Sequence, residues 1–585
     1  RFIYDKPEDN TVNFKIDNSN KNSVFNLSLS KESKERADIL IYDVSYKSEE
    51  VSTPSKITVE FNMPYINAFS LWNSQCGLTR NVLPDWRPQH QVSRSRLASG
   101  IPIQSVISQN GDNAFTISVN DAKTPIEISS GTEEFNGNCL CRVSFFTIPI
   151  GKINEYKSQI IIDTRKIPFY KAISDASEHM RYSEQFVPNN ARMPMYSTWY
   201  NYHQNINDDE LIKECKAAYE LGMRTIIVDD GWQTENNGGG YAYCGDWRVC
   251  KSKIKDMASF VSAVHDIGMQ VMLWYSVPFI GKNSDIWEEF KGKYLDSEEN
   301  EWNCLDPRFP EVRKYLAGLY EKAALEWKLD GFKLDFIDSF ELTEYSDKTG
   351  IGRDFESLED AIDCLLCDVV LRLKKINPDV LIEFRQNYIG PVVTEYGNII
   401  RVGDCALDAF INRVGILDLR MTSGKAAVHS DMITWNNNDT NESVAKQLIA
   451  VLFGVPQISV RLDEITAEHY EVLKFWLNFW MENKEILLDG KQKIYNPEAN
   501  YSMAEAELNN RKICVCYGRN IVECSGDDFI VVNGTGEDFI VVRANGDFKY
   551  TILDCKGTCI ESGQRHINDI AQFDVSQSGV LRLEA

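Results

Sequence analysis

Leu329-Asp330-Gly331-Phe332-Lys333-Leu334-Asp335-Phe336-Ile337-Asp338 reads as a buried strand, yet it carries a lysine and a carboxylate two positions apart. Strand side chains alternate between faces, so Lys333 and Asp335 point the same way. A buried charge is costly unless paired, and an ammonium beside a carboxylate keeps it ionised near neutral pH. The spacing therefore predicts a Lys333–Asp335 pair. One reading is a structural ion pair. The other is an ionised, oriented Asp at the end of a barrel strand, the form a glycosidase nucleophile takes.

The sequence around this strand alternates short apolar runs with helical stretches from about Met193 to Leu488. The strand candidates are Met195–Tyr202, Arg224–Trp232, Gln270–Ser276, Gly331–Asp338, Val380–Gln386, Ile399–Asp404, Ala426–Thr434 and Gln457–Val460. Most precede an amphipathic helical stretch, as at Asp208–Leu221 and Leu358–Lys375. Eight such units predict an α/β fold, a (β/α)8 TIM barrel. A doubly wound open sheet would want a Gly-rich fingerprint after its first strand, and none is present. Upstream, short alternating segments such as Lys56–Phe61 and Cys141–Phe146 predict an antiparallel β-sandwich. The expected domains are an N-terminal sandwich over residues 1–170, the barrel over 171–490 and a small C-terminal antiparallel β-domain over 491–585.

Hydrophobic residues make up 43% of the 585 and charged residues 25%, which excludes a disordered chain. A formal charge of -24 argues against nucleic acid and anionic membrane surfaces as partners. No apolar run reaches the roughly 20 residues of a membrane helix. The 15 cysteines are odd in number and scattered, so mostly reduced thiols and a cytoplasmic location are expected, with a secreted form left open. Cys364-Leu365-Leu366-Cys367 lies in a helical stretch with no second pair at zinc spacing, and no H-E-x-x-H occurs, so no metal site and no cofactor are expected.

Active-site residues of a barrel sit at the C-terminal ends of its strands, and here those ends are polar. They carry Trp199-Tyr200-Asn201-Tyr202, Asp229-Asp230-Gly231-Trp232, Trp274-Tyr275-Ser276, the Lys333/Asp335 strand, Glu383-Phe384-Arg385-Gln386-Asn387, Arg401-Val402-Gly403-Asp404 and His429-Ser430-Asp431. The loop after the second strand adds Asp246. Strands four and six are two apart, so inward Asp side chains on them approach to roughly 5–7 Å, near the separation of a retaining glycosidase. On this reading Asp335 attacks the anomeric carbon and Asp404 is the acid/base. Arg401 orients a carboxylate or a substrate hydroxyl. Asp338 and Asp408 are rival carboxylates. Trp199, Asp229, Asp230, Trp232, Asp246, Trp274, Lys333, Arg385, Asn387 and Arg401 are the substrate-binding candidates.

These motifs resemble the melibiase-like α-galactosidases of glycoside hydrolase family 36. The resemblance rests on Trp199-Tyr200-Asn201, Asp229-Asp230-Gly231-Trp232, Gly245-Asp246-Trp247, Leu305-Asp306 with Pro310-Glu311-Val312, and Lys333-Leu334-Asp335. It implies a retaining, cofactor-free exo-α-glycosidase acting on an α-linked oligosaccharide or glycoconjugate, an acid/base Asp at position 404, and an oligomer. The family's Cys-x-Gly-Gly-rich segment after strand five is replaced by Phe384-Arg385-Gln386-Asn387-Tyr388. Specificity for another sugar, such as an α-N-acetylgalactosaminide, therefore stays open beside α-galactosidase, as does a carbohydrate-binding barrel without catalysis.

Overall fold

A computed structural model describes residues 12–18, 22–30, 38–65, 67–87, 91–180, 182–346, 350–385, 390–524 and 528–585. At its centre lie eight barrel strands: β1 (Met195–Ser197), β2 (Thr225–Val228), β3 (Gln270–Ser276), β4 (Gly331–Asp335), β5 (Leu381–Arg385), β6 (Ile399–Arg401), β7 (Ala427–His429) and β8 (Gln457–Ile458). Consecutive strands from β1 to β7 pair in parallel, and β8 pairs with β1. Parallel bridges His429–Val455 and Ile433–Ile458 join the β7 and β8 segments and close the ring. The expected TIM barrel is present.

Local chemistry explains the helices around it. Asn207, Asp256, Ser357, Asp408, Thr440 and Thr466 each accept a backbone N–H at the start of a helix, satisfying donors that helix geometry leaves orphaned. Between β5 and β6 the described residues hold the 3-10 turn Val393–Glu395 and no α-helix. Gly331 opens β4 because a Cβ there would lie 2.5 Å from the Leu381 carbonyl oxygen on β5.

Six of the eight strands, β1, β2, β4, β6, β7 and β8, stop earlier than their sequence patterns suggest. The first ends at Ser197, and Trp199–Tyr202 winds into a helical turn instead. The fourth ends at Asp335 because Phe336 takes a left-handed conformation (φ 65°) and Ile337–Ser339 forms a 3-10 turn. Asp335 consequently stands at the tip of its strand.

N-terminal to the barrel, the described residues form a five-stranded and a six-stranded sheet that pack face to face over Phe25, Tyr46, Phe61, Ile117 and Phe145. The C-terminal region forms an eight-stranded sheet. Its pairing is mixed rather than wholly antiparallel, since Arg511–Cys516 runs parallel to Asp528–Asn533 and Ile521–Glu523 parallel to the Ile540–Leu553 strand. All fifteen cysteines are free thiols. Among the described residues, no helix is long and apolar enough to cross a membrane.

One carboxylate joins all three regions. Asp418, on the barrel helix Ala409–Thr422, accepts from Trp72 Nε1 at 2.8 Å, pairs with Arg80 at 3.1 Å and accepts from the Tyr501 hydroxyl. Arg80 is 3% exposed, so Asp418→Ala strands a buried guanidinium, at a cost of about 3–5 kcal/mol. Scanning calorimetry of that variant should show a lower Tm with a resolved early transition. An unchanged single transition would refute the joint.

Candidate active site

The exits of β2 to β7 converge on a buried array of alternating charges. Asp229 follows the last residue of β2; its Oδ2 lies 2.6 Å from Lys333 Nζ, and its Oδ1 accepts the Asp230 N–H. Lys333 therefore pairs with Asp229, not with Asp335 as the strand spacing predicted. The two share a face, but the shorter reach runs across the barrel to β2. Burial, the largest single effect, disfavours the Lys333 ammonium, and Asp229, Asp335 and Glu383 together outweigh it, raising its pKa above the ordinary lysine value.

Asp335 takes a different cation. Arg385 Nε donates to its Oδ1 at 2.6 Å, the Phe336 N–H donates to the same oxygen at 2.9 Å, and Trp274 Nε1 donates to Oδ2 at 3.0 Å. Burial pushes the Asp335 carboxyl up. Arg385, then Lys333 and Arg401, outweigh that effect and hold it well below the usual carboxylate range. The Arg385 guanidinium also lies 5.0 Å over the Phe336 ring.

Arg401 is the hub on the other side. It is fully buried and contacts Glu383 at 3.3 Å, Asp404 at 3.0 Å and Asp431. Gln457 Nε2 donates to Glu383 Oε2 at 2.6 Å, and Tyr200 donates to Asp431 Oδ2 at 2.8 Å. Burial raises the pKa of both Glu383 and Asp431 despite Arg401. For Asp404, partial burial raises and Arg401 lowers, and the net shift is downward, so its resting form is a carboxylate. Its side chain remains 54% exposed on the loop after β6, able to meet a ligand.

Asp230 lies beside this array, with Gln204 and Gln233 each donating to one carboxylate oxygen at 2.7 Å. Burial dominates, and its pKa is pushed up to about 6. Trp199 is half-buried on its helical turn, edge-on to His203. Trp232 is fully buried among Trp247, Tyr275 and Trp327, and its indole N–H is spent on the Trp274 carbonyl, so it backs the site without facing it. Asp246 lies apart from the array and accepts the N–H groups of Asp285 and Ile286. Asp408 caps a helix through the Ile411 N–H. Asn387 lies outside the described residues.

Glu383, Asp431, Gln457, Tyr200 and Gln204 belong to the array; Glu383, Asp431 and Tyr200 stand in the polar strand-end segments of the sequence but were not among its catalytic or substrate-binding candidates, and neither were Gln457 and Gln204. Glu383 carried a signal: it stands two positions before Arg385 on one strand and so shares its face. Gln204 and Gln457 carried none.

The Melibiase family model matches residues 176–383. The match spans β1 to β4 and the start of β5. α-Galactosidase 2 of Pediococcus pentosaceus is 24% identical over 210 residues, 34% of this chain and 29% of the relative. The bifunctional α-galactosidase/sucrose kinase AgaSK of Mediterraneibacter gnavus is 27% identical over 97 residues, 16% of this chain and 10% of the relative. These sequence matches thus span less than a third of each relative's own length. Among solved structures, the family 36 α-galactosidase AgaA of Geobacillus stearothermophilus in complex with stachyose superposes with TM-score 0.64 at 13% identity, covering 94% of this chain and 79% of that one. The galactosidase domain of AgaSK superposes equally well, with TM-score 0.64 at 13% identity over 98% of this chain and 85% of that one. The shared fold thus extends beyond the segment matched by the family model into both flanking β-regions.

The raised pKa of Asp230 has a measurable consequence for the barrel. The folded chain holds that proton more tightly than the unfolded chain, whose value is 3.8. The resulting stability is present in full below about pH 4 and is lost as pH rises through about 6, a swing of about 3 kcal/mol. Asp230→Asn removes the titration. Between about pH 4 and about pH 7.5 the Tm of the variant should rise relative to wild type, and a pH-independent difference would contradict the assignment.

Proposed function

We propose that the chain is a retaining exo-α-glycosidase, an α-galactosidase that releases terminal α-linked galactosyl residues from oligosaccharides or glycoconjugates. The observation that carries this reading is Asp335 at the tip of β4, ionised and oriented by Arg385, Trp274 and its own neighbour's N–H. Its carboxylate attacks the anomeric carbon while Asp404, after taking up a proton, transfers it to the departing oxygen. A covalent glycosyl-enzyme results. Asp404, again a carboxylate, then takes a proton from water as that water attacks the anomeric carbon and frees Asp335. Arg401 holds Asp404, and Asp229 and Asp230 accept hydrogen bonds from sugar hydroxyls. The melibiase match and the stachyose-bound neighbour support an α-galactoside as substrate.

The position of Arg385 favours a second reading of the sugar. Its guanidinium lies 2.6 Å from Asp335, so a sugar whose anomeric carbon faces Asp335 would present its neighbouring carbon to Arg385. A glycone bearing an acceptor substituent there, such as an α-N-acetylgalactosaminide, fits that contact.

Asp335→Asn should lower turnover of an aryl α-galactoside by about a thousandfold or more while the variant still folds. Proton NMR of the wild-type reaction should show the α-anomer of the free sugar first. A fully active variant, or the β-anomer first, would defeat the proposal, and a panel of aryl α-glycosides assigns the sugar.

A further inference from the structure

The N-terminal sandwich reaches into the barrel beside the β4 tip. After its strand Val92–Ser95 the chain makes a tight turn, in which Arg96 and Ser99 exchange backbone hydrogen bonds of 2.9 and 3.0 Å. Gly100 is required there: its φ is +69°, and a Cβ would lie 2.0 Å from the Arg94 carbonyl oxygen. This turn sends one side chain across the domain boundary. Arg96 is 8% exposed, and it donates to the Phe340 carbonyl at 2.8 Å and the Asp338 carbonyl at 2.5 Å. It also pairs with Glu359 at 3.4 Å and Glu341 at 3.3 Å.

Those two carbonyls belong to the turn that ends β4. Phe336 begins this turn in a left-handed conformation, and its N–H donates to Asp335 Oδ1. The Phe336 ring supports the Arg385 guanidinium and packs on Phe279 at 4.7 Å. Asp338, in the same turn, has a buried Oδ1 with no hydrogen-bond partner, a costly arrangement for a carboxylate beside a site unless a ligand or water completes it. Gly390, where the described chain resumes after β5, leaves its ideal Cβ 3.0 Å from the Gly100 carbonyl oxygen, so the same sandwich turn also abuts the β5 exit.

We propose that Arg96 is a positioning residue of the active site, supplied by the sandwich to the barrel. It fixes the 336–340 turn, and through Phe336 it sets the hydrogen bond on Asp335 and the seat of Arg385. The inference rests on the reading that Asp335 attacks the anomeric carbon. It makes the sandwich part of the catalytic apparatus.

The test uses the full chain with Arg96→Ala and Arg96→Lys, assayed on an aryl α-galactoside. Displacing a reacting group by a fraction of an ångström to 1 Å should lower kcat by about a hundredfold, with KM within about threefold of wild type. Guanidinium chloride on the order of tens of millimolar should restore at least about tenfold of the loss in Arg96→Ala, because the free cation can occupy the vacated site between the two carbonyls. Arg96→Lys should stay impaired, since one ammonium replaces a planar fork. A kcat within about threefold of wild type in Arg96→Ala, or a loss that guanidinium does not recover, overturns the proposal. Asp335→Asn run alongside separates the two failures: activity surviving there overturns the nucleophile reading, whereas activity surviving only in Arg96→Ala overturns the positioning role.

Discussion

A carboxylate taken out of water stays ionised only where cations and N–H donors replace its lost hydration, and Asp335 meets that condition through Arg385, Trp274 and Phe336. The same rule governs its surroundings. Lys333 neutralises Asp229, and Arg401 stands among Glu383, Asp404 and Asp431. Each cation belongs to a different strand from its principal carboxylate, so the array exists only when the barrel is closed in register. Glu383, Lys333 and Trp274 lie side by side on β5, β4 and β3, a direct result of the parallel pairing.

The scaffold holds this array at the strand tips by stopping strands early. Phe336 leaves β-geometry immediately after Asp335, and the chain after β1 turns helical at Trp199, which brings Tyr200 to Asp431. The flanking regions are not passive. Asp418 ties sandwich, barrel and C-terminal sheet together through Trp72, Arg80 and Tyr501, and Arg96 carries sandwich contacts to the turn that ends β4.

Much of the barrel was legible because hydrophobic period and length separate strands from helices. Its strand ends were less so: the pattern through Asp338 continues apolar, and only the backbone of Phe336 breaks it. Asp335, Asp404, Asp229, Asp230, Lys333, Arg385 and Arg401 were readable from their places at strand ends. The partner of Lys333 was not, because spacing within one strand gives the face a residue shares and says nothing of a carboxylate arriving from β2. Trp232 misled for a related reason: its neighbours Asp229 and Asp230 face the site, while its own ring turns back among Trp247, Tyr275 and Trp327. Gln204, Gln457 and Arg96 come from loops, a strand without a motif and another domain, where no local pattern marks a site residue.

The central claim is that Asp335 forms the bond to the sugar. A fluorinated galactosyl fluoride, which slows breakdown of a glycosyl-enzyme more than its formation, tests it directly when followed by proteolysis and peptide mass spectrometry. The account predicts one labelled peptide, with the sugar on Asp335. A label on Asp338, Glu383, Asp404 or Asp431, or turnover with no covalent adduct, would contradict it.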